Sequence, residues 1–176
     1  MPDQPLHRDP SAAQAPVRSR PWVRMAAGDT TVVFTWAGDR WRHAITLPSG
    51  EVVESLEGPA DGGDPRWPAS PPLVEVTAVQ TARGPATLAV GLAGRSHYSA
   101  SISPLPDRDG VLLFEIACRF HDQPPWLGSS YRRAGTLVRI AAGSGPWRAP
   151  GTVQWSYTIG PGGIVATPPA VASGGP

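Results

Sequence analysis

The residues of this chain best able to do chemistry are a few histidines, carboxylates and arginines set among aromatic residues. Arg40, His43 and Glu57 lie within one stretch, and Arg95 with His97 within another, Gly94-Arg95-Ser96-His97-Tyr98-Ser99. An imidazole beside a carboxylate can act as an oriented base, and a guanidinium beside an imidazole can hold a small anion. Trp67 and Tyr131, each in a proline- and aromatic-rich segment, add flat surfaces for a ligand or a protein partner. These seven residues, Arg40, His43, Glu57, Trp67, Arg95, His97 and Tyr131, are the candidate binding set, and no catalytic residue is assigned.

Other chemistries have little support. Cys118 is the only cysteine, which leaves no thiolate set for zinc or iron-sulfur ligation. The four histidines, His7, His43, His97 and His121, lack short-range ligand spacing, so neither a metal nor a cofactor is expected. Phosphate-cradling glycine loops, His-Glu-x-x-His and a Gly-x-Ser-x-Gly elbow do not occur in the sequence. Every one of the 15 basic residues is arginine, against 14 acids, for a net charge of +1. They are scattered rather than gathered into a stripe, so nucleic acid is not an expected partner. The N-terminus has no apolar run, which argues against a leader or membrane anchor and, with the lone cysteine, for a cytoplasmic protein.

Placing the candidates requires the elements that carry them. The 176 residues fit one domain, and no window keeps helical apolar spacing without Pro or Gly interrupting it. Apolar alternation predicts strands near 30–37, 40–47, 51–57, 73–82, 86–93, 96–103, 111–120, 135–142 and 151–159. The expectation is an all-β protein: a single antiparallel β-sandwich domain over 22–160, with disordered N- and C-terminal tails at 1–21 and 161–176. Two long loops, Gly58–Pro72 and His121–Arg133, should cross its surface, the first either pinned by Trp67 or presenting it, the second presenting Trp126 and Tyr131 to a ligand or partner.

Turn chemistry fixes part of the register. Gly38-Asp39 fits a two-residue hairpin turn that pairs Trp36 with Trp41, Phe34 with His43 and Val32 with Ile45. Five of those six are large and apolar, so the face is buried with His43 inside it. Pro48-Ser49-Gly50 fits a three-residue loop that pairs Ile45 with Val53, His43 with Ser55 and Trp41 with Glu57. Glu57 then lies diagonally from the imidazole at about 7 Å between backbones. Gly94-Arg95 is either a second tight turn or a bulge in one long strand. Both alternatives send Tyr98, Ala100 and Ile102 to the core and His97, Ser99 and Ser101 outward. On 111–120, Cys118 falls on the apolar side, while Glu115 and Arg119 share the other side, as a solvated pair or part of an anion site.

At Asp39-Arg40-Trp41-Arg42-His43, Glu54-Ser55-Leu56-Glu57-Gly58, Trp67-Pro68-Ala69-Ser70-Pro71-Pro72, Gly94-Arg95-Ser96-His97-Tyr98-Ser99 and Ala117-Cys118-Arg119 the chain resembles a family of uncharacterised planctomycete proteins. The resemblance covers roughly residues 30 to 133 and implies a lineage without an activity, ligand or catalytic residue to carry over. Three functions follow from the residues themselves. The first is a non-catalytic binding or accessory module using the aromatic loops. The second is a small-anion-binding protein or enzyme, which requires Arg40, His43, Glu57, Arg95 and His97 to converge. The third is a structural or assembly protein. The oligomeric state is left open.

Overall fold

A computed structural model describes residues 21–59 and 64–167. The chain is all-β, with every strand pair antiparallel. Its strands are β1 (Trp22–Ala27), β2 (Thr30–Trp36), β3 (Trp41–Thr46), β4 (Val52–Ser55), β5 (Leu73–Thr81), β6 (Gly84–Ala93), β7 (Ser96–Pro104), β8 (Leu112–Phe120), β9 (Gly128–Arg133), β10 (Thr136–Ala141), β11 (Gly151–Gly160) and β12 (Gly163–Thr167). They form one sheet in the order β10-β9-β4-β3-β5-β6-β7-β8-β11-β12, with β2 also on β3 and β1 on β2. The sheet curls until it nearly closes. Its two halves meet through a single backbone pairing, Trp41 with Leu73.

Local turn chemistry produces the expected hairpins. Trp36 faces Trp41, Phe34 faces His43 and Val32 faces Ile45, and the Ala37 N–H donates to the Arg40 carbonyl at 2.8 Å. Ile45 faces Val53 across the three-residue loop, where Gly50 takes the positive φ of 83° that the bulge position demands. Between β6 and β7, Ala93 pairs with Ser96 and Gly94 has a φ of 55°, so the tight turn is formed. Tyr98, Ala100, Ile102 and Cys118 then lie in the core beside Phe34, Ile45, Leu112, Phe114 and Ile159.

Four placements differ from expectation. β1 is an additional strand whose Val23, Met25 and Ala27 face inward while Trp22, Arg24 and Ala26 do not; Pro21 and the arginine-rich arm obscure that alternation in the sequence. β9 occupies the end of the segment expected to be loop. Its first three residues, Gly128, Ser129 and Ser130, are all buried, so burial there leaves no hydrophobic signature. β12 lies within the stretch assigned to the tail, and the folded chain continues to Thr167. Residues 1–20 and 168–176, the remainder of the expected tails, fall outside the described residues.

The fourth difference is in the loops. Trp67 is only 5% exposed, so it pins its segment rather than presenting itself to a ligand, and Leu127 is 1% exposed. Each proline-rich segment thus sends an apolar side chain into the core. Ser70 staples them to β9: its hydroxyl donates to the Ser130 carbonyl at 2.8 Å and accepts the Ser130 N–H at 3.0 Å. The prolines lack amide donors, so these side-chain bonds supply what backbone pairing would otherwise supply.

Phe34 is fully buried, whereas Trp36 and Trp41, an edge-to-face pair with centroids 5.8 Å apart, are only partly so. Phe34→Ala is expected to cost about 3–5 kcal/mol. Trp36→Ala is expected to cost less, roughly 1–2 kcal/mol, because less area leaves water on folding. Urea denaturation of both variants checks the order, and a larger loss at Trp36 would contradict this packing.

Candidate functional site

The inner face of the barrel is mostly apolar, and one connected line of polar groups crosses it. It begins at His43, which β3 turns inward opposite Phe34. The imidazole lies between two phenyl rings, Phe34 at 5.1 Å and Phe114 at 5.9 Å. Phe114 belongs to β8, so this contact bridges the two halves of the sheet. A ring nitrogen buried there needs a partner, and the Tyr131 hydroxyl of β9 bonds Nε2 at 3.0 Å. Tyr131 bonds in turn to the Tyr157 hydroxyl of β11 at 2.6 Å. On the same side, the Trp155 indole N–H donates to Ser129 Oγ at 3.1 Å.

The other end of the line reaches the carboxylate. Ser55 Oγ accepts the His43 backbone N–H at 3.0 Å and donates to Glu57 Oε1 at 2.8 Å. Ser55 and Glu57 are two apart in extended chain and share a face, as strand geometry requires. The expected pairing of Trp41 with Glu57 does not form. β4 ends at Ser55, and Trp41 pairs with Leu73 instead. Glu57 is thereby connected to the His43 residue through Ser55, and the imidazole is oriented by Tyr131 rather than by the carboxylate.

Burial sets the charge states. It lowers His43 from 6.5 to about 4, leaving the ring neutral at physiological pH. It raises Glu57 from 4.5 to about 7, against the Ser55 hydrogen bond and the positive charge of Arg40, which favour the carboxylate. Glu57 therefore populates both protonation states near neutrality and can give or take a proton. Arg40 is itself held by Asp39, with Nη2 to Oδ2 at 2.7 Å and Nε to Oδ1 at 3.1 Å. The Tyr131 and Tyr157 phenols are both raised by burial, the latter to about 12, so both remain protonated.

Two valences on this line have no protein partner. His43 Nδ1 and Glu57 Oε2 are shielded from solvent and make no hydrogen bond. Thr87 Oγ1 and Ser130 Oγ are also unpartnered; a neutral hydroxyl left so costs about as much as a neutral imidazole, and only an ionised carboxylate costs more. The surrounding side chains, Arg40, Trp41, Ser55, Leu56 and Glu57, each keep some exposure. The His43 and Glu57 atoms are themselves shielded from solvent, while the residues that flank them are only partly buried.

The remaining candidates are elsewhere. Arg95 stands at the β6–β7 turn, 3.6 Å from Asp122, and His97 points outward on β7, opposite Arg119. Neither meets His43, so the five-residue anion pocket does not assemble. Trp67 packs in the core, and Tyr131, expected to be displayed on a loop, is fully buried in β9 where it holds the imidazole. Tyr157 and Ser129 belong to the site although neither was a candidate. Alternation of Trp155, Tyr157 and Ile159 marks Tyr157 as inward, and a buried phenol calls for a partner. Cys118 is buried, and its thiol is pushed up to about 11 by that burial. A broad concavity of about 910 Å³ lies on the outer face of β6, β7, β8 and β11, behind the strand whose Phe114 touches His43.

Among the described residues no group of three His, Cys, Asp or Glu could hold a metal, and no helix is long and apolar enough to cross a membrane. No family model, curated protein or solved structure matches the chain.

The two shifted groups oppose each other. The depressed His43 favours the fold above pH 6.5, and that contribution is lost as pH falls through about 4. The raised Glu57 favours the fold below pH 4.5, and that contribution is lost as pH rises through about 7. Between these limits the slopes largely cancel. Glu57→Gln should unmask the histidine, so that stability rises by up to about 3 kcal/mol from pH 4 to 6.5. Urea titrations across that range test it; a variant with the same pH slope as the native chain would contradict the burial of Glu57.

Proposed function

We propose that the protein is a non-catalytic binding module that takes a small, uncharged, hydroxyl-bearing ligand against His43 and Glu57. The observation carrying this reading is the pair of buried, unpartnered atoms, His43 Nδ1 and Glu57 Oε2. Each costs on the order of 1–3 kcal/mol when left unsatisfied, and a hydroxyl, which both donates and accepts, suits either one. A small anion is disfavoured beside the Glu57 carboxyl, since the nearby Arg40 already serves Asp39. A cation would meet Arg40. The half-buried Trp36 and Trp41 supply an apolar surface next to the polar one, as sugar and polyol rings require.

A β-sandwich is the finer reading we propose for this near-closed sheet. The β1-β2-β3-β4-β9-β10 half packs its inner face on the β5–β8, β11 and β12 half through the His43–Phe114 and Tyr131–Tyr157 contacts. The single buried thiol suits a reducing compartment such as the cytoplasm. The planctomycete lineage remains part of the proposal and rests on the sequence motifs.

An acid-base enzyme is the second reading, favoured by a Glu57 carboxyl that titrates near pH 7. Turnover of a bound ligand, lost in Glu57→Gln, would replace the first reading with this one.

Thermal unfolding with polyols and saccharides, set beside phosphate, sulfate and nucleotides, tests the proposal. At 100 times its dissociation constant a ligand adds about 2.7 kcal/mol, a rise of roughly 5–10 °C for a domain of this size. The expected result is a shift with a hydroxylated ligand that disappears in Glu57→Leu, whose own Tm is higher than that of the native chain. A shift only with anions, or one that survives Glu57→Leu, overturns the assignment.

A further inference from the structure

The polar line through His43 has a direction, because it begins on a group that can only donate. The Trp155 indole N–H donates to Ser129 Oγ at 3.1 Å, and an indole nitrogen has no lone pair to offer in return. Ser129 also hydrogen-bonds Tyr157, the Tyr157 hydroxyl bonds that of Tyr131 at 2.6 Å, and the Tyr131 hydroxyl bonds His43 Nε2 at 3.0 Å. These four contacts join groups that carry five polar hydrogens: one on the indole, one on each of three hydroxyls and one on the neutral imidazole. Each contact uses one hydrogen, so one hydrogen is left over.

Where it is left over decides the tautomer. If it belongs to Ser129, Tyr157 or Tyr131, the ring hydrogen sits on Nε2 and Nδ1 is a bare lone pair, so two buried groups go unmet. All three residues are buried, and among the described residues their hydroxyls have no further acceptor. If it belongs to the imidazole, every hydroxyl donates onward and Nε2 accepts from Tyr131. The Nδ1–H is then the one unmet group of the line. One fewer unmet buried group favours this second arrangement by roughly 5- to 100-fold.

We propose that Tyr131 locks His43 as its Nδ1–H tautomer, so that the ring selects ligands that bring an oxygen acceptor to it. The selection rests on the reading of His43 as a ligand contact. A carbonyl, ether or hydroxyl oxygen takes the N–H, whereas an ammonium or an amide N–H does not. Glu57 sets the opposite requirement. Its Oε1 is engaged by the Ser55 hydroxyl, whose oxygen already accepts the His43 backbone N–H. Oε2 is therefore the carboxyl atom left open, and when ionised it takes a donor. A cyclic sugar or a hydroxy-carbonyl compound carries both parts, a ring or carbonyl oxygen for His43 and a hydroxyl for Glu57. Tyr131 acts as a positioning residue, and Trp155, Ser129 and Tyr157 keep its hydrogen directed at the ring.

Long-range proton–nitrogen NMR spectra of the full, nitrogen-labelled chain at neutral pH, with no ligand added, test the tautomer, because a protonated ring nitrogen and a bare one resonate far apart. For His43 the expected result is a protonated Nδ1 and a bare Nε2. Tyr131→Phe keeps the aromatic ring and removes the hydroxyl, so Nε2 loses its donor and the imidazole should relax to the Nε2–H form that free histidine prefers. A native ring found as Nε2–H overturns the proposal, and that measurement decides even where the variant does not fold. An Nδ1–H form that persists in folded Tyr131→Phe also overturns it. The ligand side is read on the same signal, with glycerol and glucose as probes. Binding of either, seen as a rise in Tm, should move the Nδ1–H proton downfield; a Tm rise with that proton unmoved overturns the selection of acceptors. If neither probe nor any other hydroxylated compound binds, the selection falls with the binding reading, and the tautomer, measured without ligand, separates the two failures.

Discussion

The fold depends on where one neutral imidazole can be accommodated. The two halves of the sheet share a single backbone pairing, Trp41 with Leu73, so side chains must fix how they face each other. The stack Phe34–His43–Phe114 joins β2 and β3 to β8, and Phe114 lies parallel to Tyr157 with centroids 5.0 Å apart. Tyr131 then connects β9 to β11 through the phenol pair. Apolar packing alone would leave these faces free to slide by small amounts. Hydrogen bonds of 2.6 and 3.0 Å in an otherwise apolar interior hold them in one arrangement, because breaking either exposes a polar atom to hydrocarbon.

Much of the local structure was legible because turn chemistry and apolar alternation agreed. Gly38-Asp39 and Pro48-Ser49-Gly50 set registers that placed His43, Ser55 and Glu57 on one inner face before any long-range contact was known. The same logic fails where burial is carried by small polar residues. Ser129 and Ser130 are buried because one receives the Trp155 indole and the other is stapled to Ser70, and neither fact has a periodic signature. Trp67 shows a complementary limit: a segment dense in proline reads as a surface loop whose tryptophan could pin it or be presented, and only the packing decides for the pin. Contacts that assemble the site span large sequence separations, 88 residues from His43 to Tyr131 and 26 from Tyr131 to Tyr157. Cross-sheet partners of that kind follow from which faces meet, and local pattern does not encode it.

The satisfied groups around the site give the unsatisfied ones their meaning. Along the line from Trp155 through Ser129, and from Tyr157 through Tyr131 to His43 and Ser55, nearly every inward polar atom has a partner within 3.1 Å. A network built to that standard that stops short at a carboxyl oxygen and a ring nitrogen is locally inconsistent with its surroundings, and such inconsistency concentrates where function is served. The titration of the two groups sharpens the point. One is held neutral by burial and the other is poised near neutrality by the same burial, so the site presents uncharged or half-charged hydrogen-bonding groups rather than an ion pair. An interior selected for stability alone would replace Glu57 with an apolar residue of similar size, removing the desolvation cost without disturbing Phe34, Phe114 or the tyrosines. Its retention beside the partly exposed Arg40 and Trp41 is what the proposed binding role accounts for and packing alone does not.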